Sequence, residues 1–153
     1  MGPSLRLRVL LSIATAAVCV CLAASPAAAQ TFGVRVGASA RPDQFVVGAH
    51  VETKPVADHI TFRPNIELGL GNGLTVTCFN FELAYKLPSS NPWNVYAAGG
   101  PALVLINSDQ RDRAEGGFNI SLGVEHRDGL FGEIKAGAID SPDFKILIGY
   151  VFH

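Results

Sequence analysis

The stretch from Phe144 to His153 narrows the possible folds more than any other. Its residues alternate with a period of two: Phe144, Ile146, Ile148, Tyr150 and Phe152 share one face, and Lys145, Leu147, Gly149, Val151 and His153 share the other. A helix repeats every ~3.6 residues and a strand every two, so this is a strand. One face is wholly large and apolar. A lone strand cannot cover such a face or pair its own backbone, so the chain must build a closed sheet lying against a core or a bilayer.

Composition points to an exported protein. Hydrophobic residues make up 48% and charged residues 16% of the 153 residues, whereas about 25% charged is usual in soluble domains. Arg6 and Arg8 precede an apolar run from Val9 to Ala24, and Ala27-Ala28-Ala29 supplies a small-residue cleavage site before Gln30. This reads as a secretory signal peptide over residues 1–29, because the apolar core is short and broken by Pro26 where an anchor would continue. The residues before Cys19 and Cys21 do not fit a lipoprotein signal. The expected mature domain is residues 30–153. Without Arg6 and Arg8 it carries 10 basic against 13 acidic residues, a net charge of −3. That balance excludes a basic footprint for nucleic acid. Cys78 alone remains, so no disulfide framework or cysteine-based metal site is expected, nor any other cofactor.

Short alternating stretches separated by turn residues predict eight strands: Thr31–Ala40, Gln44–Thr53, His59–Leu70, Leu74–Lys86, Trp93–Ile106, Gly116–His126, Leu130–Ile139 and Asp143–His153. Gly71-Asn72-Gly73 is a strong hairpin signal, and no helix follows it to make a phosphate loop. Asn107 to Glu115 reads as the longest polar loop, and its charges (Asp109, Arg111, Asp112, Arg113, Glu115) as a solvated tip. The Gly99-Gly100-Pro101 stretch blurs the faces of its strand and suggests a bulge. Eight strands joined by hairpin-length links can close into a small up-and-down barrel.

Alternation alone does not say which face points inward. A soluble barrel binding a small apolar ligand would turn its apolar rows inward, and a membrane barrel turns them outward. Glycine placement favours the second. Gly33, Gly37, Gly48, Gly69, Gly117, Gly123, Gly137 and Gly149 all share the charged face, and the concave side of so narrow a barrel needs small residues. That face also carries Arg35, His50, Glu52, Arg63, Glu67, Glu82, Glu125, Glu133, Lys135 and Lys145, read as a polar network filling the lumen. Aromatic residues form two belts: Phe32, Tyr85, Trp93, Tyr150 and Phe152 at the terminus end, and Phe45, Phe118 and Phe144 at the opposite end.

With these residues in view, the sequence resembles the small bacterial outer-membrane β-barrel proteins, the eight-stranded OmpA-type and OmpX-type barrels. The resemblance rests on Thr61-Phe62-Arg63-Pro64-Asn65-Ile66-Glu67-Leu68-Gly69, on Tyr96-Ala97-Ala98-Gly99-Gly100-Pro101 and on the C-terminal strand. It implies an all-β, eight-stranded antiparallel transmembrane barrel in the cell outer membrane. It also implies a monomer surrounded by outer-membrane lipids and lipopolysaccharide and delivered by periplasmic chaperones and the barrel-assembly machinery. Tyr150 and Phe152 would serve as the assembly signal, although such proteins usually end on the aromatic residue and here His153 follows.

Other chemistry is thinly encoded. The lumen charges suit a structural plug, or else a polar path for small solutes or protons. His50 and His59 fall on strands expected to face each other, and His126 lies beside Glu125 and Arg127. Hydrolysis would need a serine placed by a histidine and a carboxylate. The His-x-Ser motif of the similar lipid A deacylases is missing, because His126 is followed by Arg127-Asp128. Asn119-Ile120-Ser121 matches a glycosylation sequon by chance in mid-strand, and Cys78 reads as a small packed residue. The function expected is structural or envelope-maintaining, without enzymatic activity.

Overall fold

The computed structural model describes residues 31–71, 73–108, 112–138 and 142–153. The expected signal peptide with Cys19 and Cys21, Asn72 of the hairpin turn, Asp109 and Arg111 of the polar loop, and residues 139–141 lie outside the described residues. The strands are β1 (Thr31–Ala40), β2 (Gln44–Glu52), β3 (Pro55–Ala57), β4 (Ile60–Gly71), β5 (Leu74–Lys86), β6 (Trp93–Ser108), β7 (Asp112–His126), β8 (Leu130–Ala138) and β9 (Phe144–Phe152). Eight of them form one antiparallel wall, with β1 paired to β9 and β2 to β4, so the sheet closes as a barrel. The ninth, β3, is a three-residue strip on β4 at the terminus end.

The registers fix the barrel's dimensions. From Ile146, one way round runs through Ile134 to Leu122. The other runs through Ala38, Phe45, Leu70, Thr75 and Asn107 to Asp112. The two routes meet on β7 ten residues apart. Eight strands with that stagger tilt by about 40° and enclose a radius of roughly 8 Å measured to the backbone. Such an interior holds one layer of inward side chains.

The apolar rows point outward. On β9, Ile146 is 55% and Ile148 60% exposed, while Lys145, Leu147 and Val151 are buried. Val34 and Val36 on β1, Phe81 and Leu83 on β5, and Ile120 and Leu122 on β7 follow the same rule. Inside, β5 and β6 add a small apolar sector, in which Val76, Cys78, Ala102 and Val104 pack together.

Inner glycines make the tight curvature possible. A Cβ on Gly37 would land on the Ile146 carbonyl oxygen, and one on Gly100 on the Phe81 carbonyl oxygen. Those backbones approach so closely that no side chain fits between them. Three more glycines receive an aromatic ring from the residue directly opposite: His50 over Gly33, Tyr96 over Gly123, and Phe131 over Gly149.

Three features differ from expectation. The bulge expected at Gly99-Gly100-Pro101 is absent, since β5 and β6 hold one register from Leu74↔Ser108 to Lys86↔Tyr96. The ladder is only interrupted between Asn80↔Ala102 and Leu83↔Gly99, opposite Pro101, which has no N–H to donate. Among the described residues, the expected long polar loop is strand: β6 extends to Ser108 and β7 begins at Asp112. Charged residues are disfavoured in buried strands but cost little where both faces are wet, which is why Asp112, Arg113 and Glu115 read as loop. Finally, β3 was hidden by Pro55, which is tolerated on a sheet edge.

Valine at Gly37 or Gly100 should lower barrel stability by about 3 kcal/mol, the upper range for overpacking. Valine at Gly116 or Gly132, where a Cβ would meet nothing within 4 Å, should be tolerated. Denaturant unfolding, read by the different gel mobility of folded and boiled barrels, separates the two pairs; equal behaviour would refute the close-approach explanation.

Candidate functional site

Strand alternation sends every second side chain into the lumen, and the stagger brings residues distant in sequence to one level. Two carboxylates organise the centre. Glu133 accepts from Arg63 Nη2 at 2.6 Å, from the Tyr96 hydroxyl at 2.7 Å and from Arg35 Nη1 at 3.1 Å. Glu67 accepts from Lys135 and Lys145 at 2.6 Å each, and from Arg35 Nη1 at 3.3 Å. Lys135 also reaches Glu82 at 2.7 Å and Glu133 at 3.5 Å. From Glu82 an amide chain crosses the barrel: Asn65 donates to Glu82 at 2.9 Å, Asn80 to Asn65 at 2.6 Å, and Asn119 to Asn80 at 2.6 Å.

Aromatic rings complete the packing. Arg35 Nε and Nη2 and Arg63 Nε make no hydrogen bond. Their guanidinium carbons lie 5.6 and 5.8 Å from the centroid of the Phe131 ring, and Arg63 lies 4.5 Å from that of Tyr96, within the range of cation–π attraction. At the terminus end, Lys86 bridges Glu52 at 2.5 Å and Glu125 at 3.4 Å across the mouth of the barrel. At the far end, Ser39, Gln44, Gly69, Pro142 and Lys145 line a small cavity that reaches Cys78.

All ten residues read as lumen-facing from the sequence (Arg35, His50, Glu52, Arg63, Glu67, Glu82, Glu125, Glu133, Lys135 and Lys145) are buried. His50 stands apart from the charge network. Neither ring nitrogen is hydrogen-bonded, and the ring lies edge-on to Phe131 at 5.5 Å. His59 is not near it, contrary to the facing placement expected: His50 opposes Gly33 and Asn65, whereas His59, with φ of 61°, turns out at the terminus-end rim against Tyr85. Adding Lys86 to the four lumen cations gives five, against five carboxylates. Sequence reasoning gave Tyr96, Phe131 and Lys86 no place in the lumen, and gave Asn65, Asn80 and Asn119, which lie on the charged face, no part in the network. The available signal for the two rings was an aromatic residue set against a glycine on the adjacent strand.

The eight belt residues all lie on the outer surface. Phe32 stacks on Phe152 at 6.1 Å and Tyr150 meets Phe152 edge-on at 5.1 Å. Phe45 and Phe144 lie at the far end of their strands, whereas Phe118 is near the middle of β7, which begins four residues earlier than expected. His126 Nδ1 accepts the Asp128 amide at 3.2 Å. In the neutral ring this leaves no Nδ1 proton for the Asp128 carboxylate, also 3.2 Å away, whereas a catalytic triad needs such a proton. Among the described residues no group of three or more histidine, cysteine, aspartate or glutamate side chains is placed to hold a metal ion.

No family model matches the sequence, and no curated protein does. Solved structures do. The N-terminal β-barrel domain of Pseudomonas aeruginosa OprF is similar with a TM-score of 0.62 at 12% identity, over 80% of this chain and 96% of that one. Neisserial surface protein A gives 0.65 at 10% identity over 80% and 94%, and the outer membrane enzyme PagL 0.54 at 10% identity over 80% and 99%. At such identities the likeness establishes the fold, a closed eight-stranded antiparallel barrel.

Glu67→Ala should cost about 3–5 kcal/mol, because it leaves Lys135 and Lys145 buried without their shared partner. Glu52→Ala should cost no more than about 1 kcal/mol, since Lys86 is partly exposed and keeps Glu125. Urea unfolding in phospholipid vesicles compares them, and equal costs would show that Glu67 is not a hub.

Proposed function

We propose that the mature chain is an integral outer-membrane barrel with a structural, envelope-maintaining role, its lumen closed by the Arg/Lys–Glu network. The observation that carries this reading is the polarity of the two faces: ion pairs inside and a continuous apolar band outside. In water, so much exposed apolar surface would drive aggregation. In a bilayer it is the required solvent-facing surface, and β-barrel closure leaves no unpaired edge. Phe144 to Phe152 climbs about 20 Å at the tilt derived above, close to the ~25 Å apolar band of such barrels. A soluble barrel for an apolar ligand would need the opposite arrangement.

Export would use the signal peptide at residues 1–29. Delivery by chaperones and the barrel-assembly machinery, with Tyr150 and Phe152 as the signal, belongs to the same reading, as does a monomer among phospholipid and lipopolysaccharide. A solute path is disfavoured because the centre is crossed by buried pairs at 2.6–3.3 Å. PagL is described as an enzyme, and that reading would need this chain to assemble a nucleophile beside a histidine; the bonding of His126 speaks against it.

Mild fractionation should recover the protein with outer membranes and release it only with detergent; recovery from the soluble periplasm would overturn the assignment. Ile148→Arg, at mid-strand on the outer face, should cost about 2–4 kcal/mol in vesicles. In planar bilayers the native barrel should give a flat trace, and steady single-channel steps would replace the plug with a pore.

A further inference from the structure

The ten lumen charges balance as a whole but not in their parts. Ion pairs divide them into two groups. At the terminus-end mouth, Lys86 holds Glu52 and Glu125, one cation against two carboxylates. The central group links Arg35, Arg63, Lys135 and Lys145 to Glu67, Glu82 and Glu133, four cations against three carboxylates. Among the described residues no ion pair joins one group to the other. The mouth therefore carries a net −1 (1 − 2) and the centre a net +1 (4 − 3). Water reaches the mouth, because the Lys86 side chain is 28% exposed. The seven central side chains are buried, none more than 2% exposed, and an unmatched charge in such a place is costly.

The excess is least covered at Lys145. Arg35 reaches two carboxylates and Lys135 three, and Arg63 has Glu133, the Tyr96 hydroxyl and two ring faces. Lys145 has Glu67, which it shares with Arg35 and Lys135. Its other contact is the Cys78 sulfur at 3.8 Å, a weak acceptor. An ammonium carries three N–H groups, so one has no partner among the described residues. Lys145 is also the one cation lining the far-end cavity. Val46, Val76 and Cys78 form the apolar side of that cavity, and Gln44, which donates one amide N–H to Leu74 O at 3.0 Å, brings a second to it. Glu67 borders it too, but its Oε1 accepts from Arg35 and Lys135 and its Oε2 from Lys145. The space admits about one water-sized body.

We propose that the far-end cavity is a site for a small monovalent anion of the halide class, held by the third Lys145 N–H and the second Gln44 N–H against Val46 and Val76. A water molecule would meet the N–H groups and leave the charge unmatched. A monoanion does both, and brings the central group to four charges of each sign. The size of the space excludes phosphate and organic carboxylates. Ser39 and Pro142, at the far-end turns, border the route by which the ion enters. The site rests on the closed lumen of the reading above, of which the bound anion is the final counter-charge.

The test is urea unfolding of the barrel in phosphatidylcholine vesicles, in sodium chloride, sodium bromide or sodium gluconate at equal ionic strength. Gluconate is too large for the cavity. Chloride at ten times its dissociation constant should raise the folding equilibrium constant about ten-fold over gluconate, with a saturable dependence, and bromide should act alike. Lys145→Gln leaves three cations against three carboxylates and should lose the gain. Cys78→Asp sets a carboxylate beside the Lys145 ammonium in place of the anion, and should fold equally well in all three salts. Glu52→Gln, at the mouth, should keep the gain. Crystals grown in bromide should show anomalous scattering beside Lys145 Nζ. A native barrel that folds without a halide gain overturns the site, as does a gain that survives Lys145→Gln or Cys78→Asp. Bromide scattering elsewhere in the lumen and none at Lys145 overturns it equally. If Lys145→Gln does not fold, Cys78→Asp and the scattering decide. Conductance steps would instead overturn the closed lumen, whereas a flat trace without a halide gain removes the anion site alone.

Discussion

The closing of β1 on β9 sets everything else. Nine residue pairs, from Phe32↔Phe152 to Ala40↔Phe144, turn an open sheet with two edges into a ring with none. Closure with a ten-residue stagger fixes the tilt and the radius. That radius leaves the inward side chains room for little more than the single layer they form. Glycine at positions 37 and 100 follows, because there neighbouring backbones nearly touch. So does charge pairing: a lone ion in such an interior is costly, and Glu67 and Glu133 each gather several cations. The apolar outer rows are the other half of the same closure, since the chain has too few large apolar residues to fill both faces.

Much of this was legible in the sequence because the strand period is two and needs no long-range information. The row Phe144, Ile146, Ile148, Tyr150, Phe152 and its counterpart with Lys145 already specify a strand with unlike faces. Eight glycines on the charged side already specify which face is concave. Legibility failed where the residues carry no contrast. On β6, Ala97, Ala98, Gly99 and Gly100 are small on both faces, so Tyr96 could not be assigned inward, although its hydroxyl bonds Glu133. Toward the β6–β7 tip both faces are polar, so nothing in the pattern marks Asn107–Ser108 or Asp112–Glu115 as strand. Pairing partners were the other blind spot. That Glu67 would take two lysines from β8 and β9, or that Lys86 would span from β2 to β7, depends on registers across the whole ring.

The solved barrels similar to this chain share only 10–12% of its residues yet superpose over four-fifths of it. Closure, stagger and two-faced alternation place weak demands on identity and strong demands on pattern, so a barrel can be kept while almost every residue changes. For the same reason the fold by itself carries no function. The features from which a function must be argued are the balanced ten-charge interior, the glycine-seated rings of His50, Tyr96 and Phe131, and the histidine–aromatic contacts at the rim.

The central claim is that the apolar row of each strand faces lipid and the charged row faces a closed, dry interior. Nitroxide scanning along β9 tests it most directly. Single cysteines at positions 144 to 152, in a Cys78→Ala background and in lipid vesicles, would carry spin labels whose collisions with oxygen and with a water-soluble nickel complex are compared. The account predicts high oxygen and low nickel accessibility at 144, 146, 148, 150 and 152, with little of either at the positions between. Nickel accessibility at the even positions, or no alternation, would contradict it.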